Sequence, residues 1–271
     1  MKFSVLMSVY SKEDPQFLLE AIKSTINQSL KPDEIVIIQD GVLTSELNKV
    51  LEEFQNSYPG IIKLIQLETN MGLGKALEIG VEKCTFDLIA RMDTDDISHP
   101  NRFEKQVNFM VNHPDVQVLG SWIGEFEHNP DEINSIRKVP TTYEEVVQYA
   151  KKRNPLNHMT VMYRKSAVLE AGNYKPFLWN EDYYLWVRML NRNAKIVNMP
   201  EILVFARAGS DMFKRRGGFK YLVKDVELQQ EFLKMNFIDK KQFITNIFLR
   251  GSVRILPNFV RGFVYKSFLR K

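Results

Sequence analysis

Apolar and polar positions follow two rhythms along the first hundred residues. Short runs with few polar breaks have strand length: FSVLMSV at 3–9, EIVIIQD at 34–40, IIKLIQL at 61–67 and FDLIARMD at 86–93. Between them apolar residues recur every three or four positions. Phe17, Leu18, Ala21, Ile22 and Ile26 share one helical face over 15–29, and 44–57 reads as a second helix. Leu73, Ala76, Leu77, Val81 and Cys84 form a third helical stripe. Strands apolar on both sides and joined by helices predict an α/β fold, with a doubly wound, mostly parallel sheet covered on both faces. Further on, Pro100 suits the first turn of a helix running to about His113. A strand follows at 117–126, then an irregular stretch over 127–180 that is rich in Pro and Asn. Residues 181–192 read as a helix with an acidic start, which the helix dipole favours. KIVNMPEILVFARA reads as two short strands, and the chain from about 217 onward as helical.

In sheets of this kind ligands bind beyond the carboxyl ends of the strands. Four polar clusters fall there: SVY after the first strand, QDG after the second, ETNMGLGKA after the third and MDTDD after the fourth. MDTDD places Asp93, Asp95 and Asp96 at the end of a buried run. Alternate residues of an extended segment share a face, so Asp93 and Asp95 point the same way. Carboxylates that close repel, and protons or a divalent cation must relieve them. Asp40 fits either a turn aspartate before glycine or an acceptor for a nucleobase N–H or a ribose hydroxyl. Gly72 and Gly74 precede a helix whose free N–H groups, with Lys75, face the same edge. Glu181 and Asp182 fit two uses, capping of their helix and general-base catalysis on a sugar hydroxyl.

Composition adds limits. Hydrophobic residues make up 44% and charged residues 26% of the 271, as in ordinary globular chains. No apolar run reaches the roughly 18 to 20 residues that a membrane span needs. MKFSVLMSVY has no small-residue cleavage site and is not expected to be a signal peptide. The single cysteine, Cys84, excludes an internal disulfide and fits a reducing, cytoplasmic compartment. The net charge of +4 is unevenly spread. Residues 240–271 hold eight basic and no acidic side chains, which leaves 29 Lys and Arg against 33 Asp and Glu in residues 1–239.

Taken in order and spacing, SVLMSVY, EIVIIQDG, NMGLGKALEIG, ARMDTDDISHPNR, NPLNHMTVMYRK and NEDYYLWVRML resemble the family 2 glycosyltransferases. These are GT-A type enzymes of bacterial capsule, exopolysaccharide and O-antigen assembly. The resemblance covers about residues 1–210. It implies a GT-A domain over 1–215 and a basic amphipathic helical extension over 216–271. It also implies an inverting transfer from a nucleotide-diphosphate sugar, UDP-linked, with Mg²⁺ or Mn²⁺, to a hydroxyl of a glycan or lipid-linked acceptor. Position by position, Ser8, Val9, Tyr10 and Asp40 resemble the uridine-binding strand ends. Asn70 to Lys75 resemble the loop near the base and diphosphate. Asp93 resembles the residue that contacts the nucleotide sugar, Asp95 the metal ligand, and Asp96 a neighbour sharing that task. Asp182 resembles the catalytic base, with Glu181 as the alternative. His158 and Trp179 resemble residues bordering the acceptor site. Arg207, Arg215 and Arg216 lie where the family has a flexible loop that closes on the diphosphate. One departure is Gln39, which stands where the family carries the first acid of DDG.

The basic tail has two readings. Phe243, Ile244, Ile247, Phe248, Ile255, Leu256, Phe259, Val260, Phe263, Val264 and Phe268 recur at near-helical spacing with arginines between them, and Pro257 is placed to kink the helix. That is the composition of an interfacial helix on the anionic cytoplasmic leaflet. It is equally that of a helical pair packed on the domain. Two other functions compete. Nucleotidyltransferases that make sugar nucleotides carry a Gly-rich basic loop after their first strand, where this chain reads SVYSKEDP. A non-catalytic nucleotide-sugar-binding protein has no need of Asp93, Asp95 and Asp182 together. No nucleic-acid recognition motif is present.

Overall fold

A computed structural model describes residues 1–208 and 219–255. Its first half alternates as expected: β1 (Phe3–Val9), α1 (Pro15–Ile26), β2 (Glu34–Gln39), α2 (Ser45–Ser57), β3 (Ile62–Gln66), α3 (Leu73–Lys83) and β4 (Leu88–Arg91). There follow β5 (Ile97–Ser98), α4 (Arg102–Asn112), β6 (Val116–Phe126), β7 (Ser135–Arg137), α5 (Tyr143–Ala150), β8 (Met162–Arg164) and α6 (Lys165–Glu170). The described chain closes with α7 (Glu181–Leu190), β9 (Lys195–Arg207), α8 (Phe219–Lys234) and α9 (Lys240–Ile255).

All the strands join one sheet of order β3-β2-β1-β4-β8-β6-β9-β5, with β7 on β6. The first four pair in parallel, β8 runs antiparallel to both β4 and β6, and β9 runs parallel to β6. The strand period of two sorts side chains between two cores. Phe3, Val5, Met7 and Val9 of β1 meet the layer of α1, α2 and α4, while Leu6 meets α3 and the later helices. Ile35 and Ile37 of β2 join the first layer, and Val36 and Ile38 the second. An uninterrupted apolar run is what a strand buried on both faces requires.

Three expectations need correction. The stretch over 127–180 is not irregular: it contains β7, α5, β8 and α6. α5 starts on a capping box, in which the Thr142 hydroxyl accepts from Glu145 N and the Glu145 carboxylate reaches back to Thr142 N. The segment 195–207 is one strand, not two. Its pairing with β6 jumps from Ser121↔Met199 to Trp122↔Ile202, so Pro200 falls in a bulge where no ladder N–H is needed. Pro100 lies outside its helix, because α4 begins at Arg102 with Asn101 as N-cap.

The C-terminal helices answer the question of the tail in part. Leu228, Phe232, Phe237 and Ile238 are buried in the second core. Asn246 donates to Lys151 O and to Gln229 Oε1, both at 2.7 Å, and Arg250 pairs with Asp225 and donates to Lys152 O. α9 is therefore fastened to the domain, yet Ile244 and Phe248 on its other side are 67% and 75% exposed. Leu256, Pro257 and the apolar positions after them lie outside the described residues.

At the amino ends of the strands, Glu34 bolts β1, β2 and the start of β4 together. It accepts from Ser4 Oγ (2.6 Å), Thr85 N (2.8 Å) and Thr85 Oγ1 (2.8 Å). Burial pushes its pKa up, but these hydrogen bonds outweigh burial and hold it below the usual value. A lowered folded-state pKa adds stability above the unfolded value of about 4.3, and that stability is lost as pH falls through the folded value. Glu34→Gln, with one acceptor oxygen for three donors, is expected to cost about 1–3 kcal/mol at pH 7. In denaturant titrations the gap from wild type should narrow below about pH 4.

Candidate active site

The carboxyl ends of β1, β2, β3 and β4 line one rim, and hydrogen bonds lock their loops together. Beyond β1, Ser8 O accepts from Thr94 Oγ1 at 3.3 Å and Val9 O accepts from Asp40 N at 2.8 Å. Tyr10 follows at the rim, and its carbonyl accepts from Glu13 N. Asp40 is buried, and its two carboxylate oxygens accept from Met71 N (2.7 Å) and Gly72 N (2.9 Å). Asn70 Nδ2 donates to Asp40 O at 3.1 Å. The QDG aspartate thus braces the glycine loop before α3. Lys75, in the first turn of α3, is paired with Glu78 at 2.6 Å.

The acidic turn after β4 brings the carboxylate oxygens of Asp93, Asp95 and Asp96 within 4.8 Å of one another. Burial, then the charge on Asp93, lifts the pKa of Asp95 to about 6. Burial, then Asp95 and Asp93, lifts Asp96 well above its ordinary value. A compact set of oxygen ligands carrying unrelieved like charge suits a hard divalent cation. Asp93 is ion-paired to Arg91, the last residue of β4, whose side chain is 2% exposed. Among the described residues, Arg91 Nε and Nη1 have no hydrogen-bond partner.

The second acidic group comes from the other half of the sheet. Asp182, at the start of α7, accepts from Asn154 Nδ2 at 2.6 Å and from Tyr183 N at 2.7 Å. Leu156 N donates to Asn154 Oδ1, which fixes the amide with its NH₂ toward Asp182. Burial raises the pKa of Asp182. Burial, then the neighbouring Asp182, raises Glu181 to about 7. Glu181 lies close enough to Arg91 and Asp93 to feel the charges of both. A Cβ at Gly74 would stand 3.2 Å from Glu181 Cβ, so the first turn of α3 and α7 also meet here.

His158 stands in the 3₁₀ turn before β8. Its Nε2 is 2.9 Å from Tyr174 Oη, and its ring sits edge-on to Trp186. Burial, then the Arg91 charge, lowers its pKa well below the usual value, so the imidazole is neutral. Trp179 is 42% exposed and stacked on Tyr221 of α8 with centroids 4.7 Å apart. Its φ of +66° is rare for a bulky residue and costs about 1–3 kcal/mol. Arg207 is not on a flexible loop. It ends β9 with its guanidinium between Phe17 and Phe126, because two aromatic faces and Glu20 hold it there. Arg215 and Arg216 lie outside the described residues.

Sequence reasoning missed Arg91, Asn154 and Glu20. Arg91 stands inside ARMDTDD and Asn154 opens NPLNHMTVMYRK, so both occur in stretches that drew notice. Glu20 gave no signal, since an acidic residue on a surface helix is ordinary.

The profile described as Glycosyl transferase family 2 matches residues 4–170. The chain is 42% identical over 270 residues to an Escherichia coli protein named UDP-Gal:alpha-D-GlcNAc-diphosphoundecaprenol beta-1,3-galactosyltransferase, with 100% of this chain and 97% of that protein covered. It is 39% identical over 265 residues to the amylovoran biosynthesis glycosyltransferase AmsE of Erwinia amylovora, with 98% of each covered. The crystal structure of S. aureus TarS 1-349 in complex with UDP-GlcNAc shares the fold, at TM-score 0.69 and 19% identity over 99% of this chain and 77% of that one.

The glycine loop offers a test. Gly41 has φ +87°, and a Cβ there would lie 2.7 Å from Asn70 N and 3.1 Å from Thr69 C. Both contacts are with backbone, so neither is relieved by turning a side chain. Gly41→Ala is expected to destabilise the fold by about 1–3 kcal/mol and lower the melting temperature.

Proposed function

The chain belongs to glycosyltransferase family 2, and from that premise we propose that it moves a sugar, with inversion, from a UDP-sugar to a hydroxyl of a lipid-linked glycan precursor during surface-polysaccharide assembly. The observation that carries this reading is the nearness of two acidic groups, since Glu181 feels the charge of Asp93. On one side, Asp93, Asp95 and Asp96 form an oxygen cluster. On the other, Glu181 and Asp182 have raised pKa values, as a general base needs for work near neutrality. The E. coli relative is named for UDP-galactose and a GlcNAc-diphosphoundecaprenol acceptor, which makes that pair the first to assay.

Each residue then has a task. The β1 end at Ser8–Tyr10 and the loop from Asn70 to Lys75, braced by Asp40, border the uridine and diphosphate. Asp95, with Asp96 and Asp93, would hold Mg²⁺ or Mn²⁺, which when bound supplies positive charge for the departing diphosphate. Asp182 takes the proton of the acceptor hydroxyl as that oxygen attacks the anomeric carbon. The bond from that carbon to the phosphate oxygen breaks with its electron pair, and UDP leaves from the opposite face. Charge develops on the sugar as in glycoside hydrolysis, through an oxocarbenium-like transition state. Asn154 and Tyr183 N–H aim the Asp182 carboxylate, and the Arg91 charge favours its ionised form. Glu181 is the alternative base, while Trp179 and His158 border the acceptor.

The division of labour along the chain follows. Residues 1–215 form the transferase unit. The extension over 216–271, with its eight basic residues after Asp239 and the exposed Ile244 and Phe248, brings the enzyme to an anionic leaflet where lipid-linked acceptors reside. Among the described residues no helix is long and apolar enough to cross a membrane.

Asp182→Asn is expected to lower transfer about 10²–10⁴-fold with UDP binding retained, and Asp95→Ala to lose both transfer and metal-dependent UDP binding. The rate should rise with pH as Asp182 ionises, at a pH above that of an ordinary carboxylate because burial raises its pKa. If Glu181 is the base instead, the limb lies near 7 and Glu181→Gln abolishes it. Retention of most turnover by Asp182→Asn would reassign the base. The full chain should float with anionic liposomes and sink with neutral ones, and Phe248→Asp should weaken that flotation.

A further inference from the structure

Arg207 occupies a junction of four elements. Its guanidinium carbon lies 3.9 Å from the ring centroid of Phe17 on α1 and 4.7 Å from that of Phe126 on β6. Nη2 pairs with Glu20 Oε2 at 2.7 Å, and the Arg207 side chain is only 11% exposed. Glu20 is itself steadied, since Gln16 Nε2 donates to its Oε1 at 2.8 Å. From this fixed position Arg207 makes two bonds to the acidic turn. Nε donates to Asp95 O at 3.1 Å, and its own backbone N–H donates to Asp96 Oδ1 at 2.9 Å.

The rest of β9 continues the seam. Ile97 and Ser98 pair with Phe205 and Val204, and His99 N donates to Leu203 O. The turn from Asp93 to Asp96 is therefore tied at one end to Arg91 on β4 and at the other to Arg207 on β9. Carboxylates crowded as these are would swing apart if the turn were free. A guanidinium held between two phenyl rings and a carboxylate, with Nε spent on a main-chain oxygen, does not swing out to a ligand.

We propose that Arg207 and Glu20 form a positioning pair that sets Asp95 and Asp96 for a divalent cation, and that Arg207 acts through this turn rather than on the diphosphate. This rests on the reading of Asp95 as a cation ligand. Groups behind the ligands of a metal site usually govern its affinity. Phe17 and Phe126 keep the guanidinium in plane, and Glu20 sets its rotation.

The test is Mn²⁺ titration, followed by the electron paramagnetic resonance of free Mn²⁺, with saturating UDP. UDP binding in EDTA is measured alongside by calorimetry. Wild type, Asp95→Ala, Glu20→Gln, Arg207→Lys and Arg207→Gln are compared, each checked for folding by circular dichroism. Glu20→Gln and Arg207→Gln should each weaken Mn²⁺ about 10-fold or more, with Arg207→Lys in between. UDP affinity in EDTA should stay at the wild-type value in all three. Weaker UDP binding in EDTA with unchanged Mn²⁺ affinity would place Arg207 on the diphosphate and overturn the proposal. So would folded Glu20→Gln with wild-type Mn²⁺ affinity. Mn²⁺ affinity that is the same in wild type and Asp95→Ala would instead overturn the cation reading, and the positioning pair with it.

Discussion

Like charge held out of water is the constraint around which this protein is arranged. Asp95, Asp96, Glu181 and Asp182 all have pKa values raised first of all by burial. Left to themselves, such groups protonate or move apart. The buried Arg91 guanidinium opposes both. Its charge lowers the pKa of Asp95, Asp96, Glu181 and Asp182, and it is ion-paired with Asp93. Arg102, also buried, donates to Arg91 O at 2.7 Å and holds the end of β4 in place behind it. Arg91 Nε and Nη1, without partners among the described residues, cost about 1–3 kcal/mol each. A fold retains such a cost where the position serves a purpose other than stability.

The same constraint explains why backbone N–H groups reach so many site carboxylates. Asp40 takes those of Met71 and Gly72, Asp96 that of Arg207, and Asp182 that of Tyr183. Each bond fixes a side chain and a loop together. The site is therefore built from stiff parts. The parallel half of the sheet supplies the rim loops and the acidic turn, while α7 and β9 come from the other half. The strand order reverses between β1 and β4, where doubly wound sheets open a crevice. Family membership and the full-length likeness to named glycosyltransferases accord with this architecture.

Much of the fold was legible because β1 to β4 carry apolar residues on both faces, a pattern that few other structures tolerate. The helix α5 was not legible, since only Val146 and Ala150 of its eight residues are buried and the surrounding Pro and Asn read as loop. β9 was misread as two strands because Pro200 normally ends a strand, and only the bulge opposite Trp122 accommodates it. In the site, Asp93, Asp95, Asp96, Glu181 and Asp182 stood out by type and by position at element ends. Arg207 was visible as a cation but was placed on a mobile loop.

The sequence alone determined the strand–helix alternation and the edge at which the carboxylates collect, because hydrophobic periodicity and strand direction are local properties written residue by residue. Tertiary structure alone decided which charges meet. Arg207 and Asp96 are 111 positions apart, and Arg207 and Glu20 lie 187 apart. No local pattern encodes contacts between residues so distant. Packing of β9 and α7 against the parallel half creates them, and burial then gives those few charges their strength.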